Sequence, residues 1–564
     1  MAYENNKMDN LFKDVIGDLG FQQILYCILF SLLNLYGASQ MLQYKFVVRD
    51  TADFLCHSFA SQENREEKLI LNHCLRSNDT SDSNHKNCYK ISYPKDKFAS
   101  VTSEWTLVCD RSWMGPMILS MFMAGVMVGS IILGPTADKI GRRKTLSLTF
   151  MSMIITNLAG AYAERYSTYV ILRFICGFCM SGVILASFVL MNEVIGSSKR
   201  VLVNVITSAF FAIGIILLSF VSYHVRNWRE LTIYISIAGI PLAVLIMFYL
   251  PESPRWLKSV GNVEEAMLIL KFIALKNGNI GKWKDDYASL IDRDKNVEGS
   301  KTGSSGKKAD SLKDLFTYPT LLLLTLIQLL SWFVNGATYY GLTLAAGSGY
   351  ENDLVANNST ITEPNIYTST ALSGLVELPA IVLAIPLLNF YGRRKSLVIF
   401  MVIGGVSCLL ISAVEKIPIA QFYALDVFLG LLGKLCISAS FSVIYIHSNE
   451  IFPTTIRNSA MGLVSFSTRI GGIAAPFLAK LGNVLPNIHF LIFGLMTVIS
   501  GLLNAYLPET KDEPLPESIS TLILIQSSKA KTKFDAIAKK KRSKSHDYRE
   551  VSTDEMTLED IEYH

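Results

Sequence analysis

The chain has 564 residues, of which 50% are hydrophobic and 18% charged, with a formal net charge of +5. Its long apolar runs exclude a soluble protein built from alternating amphipathic elements, and the charge is no evidence for a nucleic-acid partner. The eight histidines form no HExxH or comparable metal spacing and no nucleophile motif is visible, so neither an enzyme, a metal site nor a cofactor is expected.

The first residues, MAYENNKMDNLFKDVIGDLG, mix acids and bases and lack a small-residue cleavage site. The first span is therefore expected to act as an uncleaved anchor behind a cytoplasmic N-terminus, 1–19. About twelve segments can cross a bilayer: 20–42, 113–135, 145–164, 168–192, 202–224, 229–250, 318–341, 367–390, 396–415, 419–446, 459–482 and 485–507. They predict an all-α membrane protein. An N-terminal bundle (20–250) carries a large extracellular loop (43–112). A polar linker (251–317) leads to a C-terminal bundle (318–507) and a tail (508–564). The loops ADKIGRRK (136–144 region) and YGRRK (391–395) and the tail from Lys529 to Lys544 are basic, whereas 342–366 has neither lysine nor arginine. That bias puts both termini in the cytoplasm of a multi-pass plasma-membrane protein.

Cys56, Cys74, Cys88 and Cys109 then lie outside, where disulfides form, in any of three pairings. Asn78, Asn357 and Asn358 each open a glycosylation tripeptide on that same side. The five other cysteines fall in apolar helices and read as packing residues. Asn34 and Gln40 in the first span suit either a cavity or helix-to-helix hydrogen bonds. Residues 262–276 have amphipathic helical spacing and are expected on the membrane surface or against the bundle, followed by a flexible linker at 295–309. The basic tail suits anionic lipid or solvent.

The two halves repeat each other. Gly141-Arg142-Arg143-Lys144 returns as Gly392-Arg393-Arg394-Lys395. Asn192-Glu193 with Arg200 returns as Asn449-Glu450 with Arg457, and Pro251-Glu252-Ser253 as Pro508-Glu509-Thr510. Three signatures in one order predict two parallel six-helix repeats, as in rocking transporters. Asp138, Gly141, Arg142, Arg143, Glu193, Arg200, Glu450 and Arg457 are the expected inner gate. Glu193 would meet Arg200, and Glu450 would meet Arg457, when the cytoplasmic side closes; capping and topology are their alternative roles.

GPTADKIGRRK is similar to the signature of the major facilitator superfamily. With SEW…LVCD at the close of the outer loop, Asn227-Trp228-Arg229, PESPRWL (251–257) and NEIFPTTIRN (449–458), the chain resembles the organic cation, organic anion and carnitine transporter family over nearly its whole length. It departs from that pattern in lacking a proline before the first loop cysteine. The resemblance implies twelve helices around a cavity opened alternately to each side, no ATP site, and a small organic ion as cargo. It further implies that an arginine at position 469 marks the anion or carnitine branches, since cation carriers tend to hold aspartate there. GKLCISASFSVIYIHSNEIFPT and VELPA look closer to carnitine-type and invertebrate zwitterion carriers, and YYGL to the anion branch.

Arg469 stands twelve residues beyond Arg457, about 18 Å further along the helix and so near the bilayer midplane. An arginine there marks a substrate path or is locked to an acid. Glu377 and Lys434 also lie deep in the second half, and one acid cannot compensate two bases. If Glu377 pairs with Lys434, Arg469 is left to bind a substrate carboxylate with its planar fork. Trp332, Tyr339, Tyr340, Phe441 and Tyr445 are candidates for the rest of the site, as packing residues or as rings that hold an ammonium. The leading expectation is a facilitative or ion-coupled carrier of small zwitterions such as carnitine, a betaine or a β-amino acid. An organic-anion exchanger with a dicarboxylate counter-substrate, or a solute-sensing receptor that moves nothing, are the alternatives.

Overall fold

The computed structural model describes residues 15–48, 55–59, 67–71, 90–92, 99–283, 314–317, 319–345, 366–414, 423–453, 456–481 and 488–511. Where the apolar segments lie, twelve long helices form among these residues. In the first half they are α1 (Phe21–Leu42), α2 (Met114–Ile140), α3 (Arg142–Ala161), α4 (Tyr166–Val194), α5 (Arg200–His224) and α6 (Trp228–Tyr249). In the second half they are α7 (Pro319–Ala345), α8 (Ile366–Tyr391), α9 (Arg393–Val414), α10 (Tyr423–Ile451), α11 (Arg457–Leu481) and α12 (Ile488–Asn504). Ten are apolar and long enough to cross a bilayer; α12 has only 17 residues, and α3 opens on Arg-Arg-Lys and is studded with Ser, Thr and Asn. Exposed Phe220, Phe248, Val382 and Phe390 face outward, as lipid contact requires.

Helices outrun the apolar segments because their charged ends continue the backbone hydrogen bonding. α10 extends through Ser448-Asn449-Glu450 to Ile451, and the basic Arg142-Arg143 turn is the start of α3 rather than a loop. The long segment between α1 and α2 holds a feature that its composition does not announce: a three-stranded antiparallel sheet. Its strands are β1 (Leu55–Phe59), β2 (Glu67–Leu71) and β3 (Lys90–Ser92), in the order β2-β1-β3. We call this the loop side and the opposite one, with the GRRK turns, the basic side.

Two of the sequence motifs meet on the loop side. Trp105 of SEW packs among Tyr166, Tyr169 and Trp228, and Trp228 Nε1 donates to Glu104 Oε2 at 2.8 Å. Arg229 pairs with the same carboxylate and donates to the Ala163 carbonyl at the end of α3 at 2.8 Å. The chain's return from the long loop is thus clamped to the mouths of α3, α4 and α6.

On the basic side the amphipathic stretch forms the helix Val263–Lys276, capped by Asn262. It rests against the start of α1. Asn277 accepts from the Gln22 amide at 3.0 Å and donates to the Ile16 carbonyl at 2.9 Å. Residues 284–313 and 512–564 lie outside the described residues, as do Asn78, Asn357, Asn358, Cys74, Cys88 and the side chains of Cys56 and Cys109. Cys27, Cys176, Cys179, Cys408 and Cys436 are buried free thiols.

The repeat is visible as one device built twice. The Glu252 carboxylate, just after α6, accepts from the Arg142 and Arg143 amides at 2.8 and 2.9 Å. The Glu509 carboxylate, after α12, accepts from the Arg393 and Arg394 amides at 2.8 and 3.4 Å. Each acid satisfies first-turn N–H groups that a helix leaves orphaned, at the positive end of its dipole. Glycine is required before each turn. Gly141 and Gly392 have φ of +113° and +87°, and a Cβ would come within 2.4 Å of Glu252 Oε2 or 2.7 Å of Glu509 Cδ.

Candidate functional site

The deep charges of the second half come together between α7, α8 and α10. Lys434 Nζ lies 3.0 Å from Glu377 Oε1, and both residues are buried. The Tyr339 hydroxyl donates to the same oxygen at 2.7 Å, and the Lys434 ammonium stands 3.2 Å from the Tyr339 ring centroid. Thr343, one turn on from Tyr339, accepts from Lys434 on its hydroxyl at 2.7 Å. A buried ion pair is tolerable only when its remaining donors and acceptors are satisfied, and here Tyr339 and Thr343 do so. Glu377 is therefore committed.

Arg469, half-buried on α11, is not part of that pair. Among the described residues no acid forms a salt bridge with it; its guanidinium lies against the Tyr340 hydroxyl. Tyr340 also reaches across to Met41 of α1, with its hydroxyl 3.3 Å from the sulfur.

The ring candidates form one continuous cluster. Tyr339 meets Tyr340 and Phe441 with centroids 5.2 and 5.6 Å apart, and Tyr445 meets Trp332 at 4.5 Å and Phe441 at 6.1 Å. Their availability differs. Trp332 is wholly buried and donates to Ser448 Oγ at 2.9 Å, while one face of Tyr339 is taken by Lys434. Tyr445, at 40% exposure, and the half-buried Phe441 are the rings left for a ligand.

Two buried cations were missed in the sequence. Lys45 lies just past the end of the first apolar segment and was assigned to the loop, but a short helical turn, Tyr44–Val47, continues α1 and buries it. Its ammonium donates to the Thr343 carbonyl at 2.7 Å. Arg173 sits inside the fourth span, so the rule that singled out Arg469 would have found it. It donates to the Gln40 carbonyl at 3.2 Å and lies 4.7 Å from the Phe122 ring. The Gln40 side chain accepts from Gln43 at the end of its own helix and from Cys176 of α4, and Gln43 also donates to Asn157 of α3.

The expected gate residues are assembled within each half. Arg142 pairs with Asp138 at 2.9 Å and Glu193 at 3.4 Å, and Arg393 pairs with Glu450 at 3.0 Å. Arg457 donates to the Phe452 carbonyl. Glu450 thus forms its salt bridge with the arginine of the duplicated turn, with Arg457 near enough to feel its charge, in a state whose contacts between halves sit toward the loop side. There Ser120 of α2 donates to the Ile473 carbonyl of α11 at 2.7 Å, Phe46 stacks on Tyr367 of α8 at 5.6 Å, and Lys480 donates to the Ser112 carbonyl.

A family model described as "Sugar (and other) transporter" matches residues 68–521. A Drosophila melanogaster "Organic cation transporter protein" is 35% identical over 77% of this chain and 76% of its own length. A Xenopus tropicalis "Solute carrier family 22 member 15-like" is 34% identical, covering 76% and 82%. This chain is a member of solute carrier family 22. The inward open conformation of the Escherichia coli xylose transporter XylE superposes with a TM-score of 0.58 at 16% identity, covering 87% of this chain and 98% of XylE. That likeness gives the major facilitator fold of twelve helices. As a family 22 member the protein is a multi-pass transporter of small organic ions and not an enzyme. Among the described residues no three His, Cys, Asp or Glu side chains are grouped to hold a metal.

Proposed function

We propose that the protein carries small organic zwitterions by alternating access, with the substrate carboxylate on Arg469 and its ammonium over Tyr445 and Phe441. The observation that carries this reading is the division of charge: Glu377 is committed to Lys434 and Tyr339, and Arg469 has no acidic partner among the described residues. A guanidinium in a low-dielectric cavity favours a planar carboxylate, which it holds by two parallel hydrogen bonds. With no acid paired to it among the described residues, the cationic end of the substrate is left to ring faces, which favours methylated ammonium groups such as those of carnitine or betaines. The Drosophila relative is named for cations; Arg469 argues against a bare cation as the cargo here.

Lys45 favours a second reading. It places a second buried basic side chain close to Lys434, and two basic groups beside one another suit an organic anion exchanged for a dicarboxylate. Uptake of labelled carnitine, β-alanine, p-aminohippurate and tetraethylammonium by expressing cells separates the readings. Carnitine or β-alanine accumulation supports the first, p-aminohippurate the second, and tetraethylammonium alone would end both. Binding without accumulation of any of them would favour a sensor.

The rest of the proposal follows from charge bias. The basic side, with both termini and the 251–317 linker, is cytoplasmic in the plasma membrane, and the bundles 20–250 and 318–507 rock about it. The loop side then carries glycans on Asn78 and on Asn357 or Asn358, and disulfides among Cys56, Cys74, Cys88 and Cys109. The clusters around Asp138, Arg142, Arg143, Glu193 and Arg200, and around Glu450 and Arg457, meet as the inner gate in the opposite state. A coupling ion or counter-substrate fits the same cycle.

A further inference from the structure

Thr343 lies on α7 close to the last residue described for that helix, Ala345, and its carbonyl is bonded from outside the helix. Carbonyls toward the C-terminal end of a helix carry the negative side of its dipole, which favours a cation. The cation that fills this place comes from the other half of the molecule: Lys45, on the turn after α1, donates to that carbonyl at 2.7 Å. The hydroxyl of the same Thr343 accepts from Lys434 at 2.7 Å, and Lys434 pairs with Glu377. One residue therefore joins a contact across the seam to the charged pair beside the candidate site.

We propose that Lys45 is the loop-side latch of the transport cycle. It bonds α7 from the other half only while the halves are shut on that side, and through Thr343 it couples closure to the Lys434–Glu377 pair. Of the other seam contacts, Tyr340 on Met41 and Phe46 on Tyr367 are neutral and can slip or repack, and Lys480 on the Ser112 carbonyl does not touch the charged pair. Lys45 instead holds a fixed carbonyl of the other half with a charged donor, and that bond is lost when the seam opens. The latch depends on the carrier function and not on which substrate is carried.

Ser120 reports on the seam from a separate place, since it is buried and bonded to Ile473 of the other half. In proteoliposomes, the rate at which an impermeant maleimide reaches Ser120→Cys from the loop side measures opening without any substrate. Labelling above that of the chain without this cysteine is the signal. Lys45→Met is expected to raise the rate about tenfold, the scale of one charge-assisted hydrogen bond. Lys45→Gln should raise it less, and Lys45→Arg should stay near the parent; Gln serves should the Met variant fail to insert. Thr343→Val keeps the carbonyl and removes the hydroxyl, and its effect should be non-additive with Lys45→Met. Unchanged or slower labelling in both neutral variants would overturn the latch. Strict additivity would overturn its coupling to the charged pair.

Discussion

Removal of the Arg469 guanidinium is expected to abolish most uptake of a carboxylate substrate while surface expression is kept. Arg469→Ala forfeits a charge-assisted bidentate contact, on the order of a hundredfold in affinity. Arg469→Lys should recover only part of it, because an ammonium cannot reproduce the planar fork. Near-normal carboxylate uptake by Arg469→Ala would remove the residue from the site. The pair beside it should behave differently. Lys434→Met leaves the Glu377 carboxylate buried with Tyr339 and without its cation, a loss of about 3–5 kcal/mol that should show as lost expression or a lowered melting temperature. The double change Lys434→Met with Glu377→Gln removes both charges and should recover most of that stability. If Glu377 instead served Arg469, the double variant would gain nothing over Lys434→Met.

Among elements, the capped turns before α3 and α9 make the sharpest test. Burial alone would raise the Glu509 carboxyl, but the amides of Arg393, Lys511, Arg394 and Thr510 outweigh it and hold it below its ordinary value of 4.5. A depressed carboxyl contributes stability that is fully present above 4.5 and is lost as pH falls through the lower folded value. Glu509→Gln should therefore lower the melting temperature at neutral pH and flatten its decline in acid. An acid limb identical to that of the parent would show that the cap carries no linkage. Gly392→Ala meets both a left-handed backbone and the Glu509 carboxylate, so a loss of about 1–2 kcal/mol or more is expected. One difference between the two turns concerns charge: Asp138, paired with Arg142, corresponds to Asn389 in the second repeat. We expect Asp138→Asn to slow turnover with little change in substrate affinity, read from the maximal rate against the half-saturation concentration. Collapse of binding with an unchanged maximal rate would end its gate role.

For the whole molecule, the topology rests on one asymmetry, basic loops on one side and acceptor tripeptides on the other. Enzymatic deglycosylation should shift the band of the surface protein, and no shift together with no labelling of the 43–112 segment in intact cells would invert the orientation. The helices, their order and the repeat were legible in the sequence because lipid demands long apolar helices and duplicated turns keep their glycines and acids. Much of the candidate site was legible too: an arginine, a lysine and a glutamate within apolar helices are costly wherever the partners lie, so Arg469, Lys434 and Glu377 stand out before any contact is known. What the sequence could not decide was which charge answers which. Glu377 chose Lys434, Glu450 turned to Arg393, the Tyr339 ring was filled by Lys434, and Lys45 was carried out of the loop into the seam. Such choices depend on distances between helices far apart in the chain. Hydropathy is a property of each segment alone, whereas an ion pair or a hydrogen bond between the halves exists only once packing has brought two segments within reach.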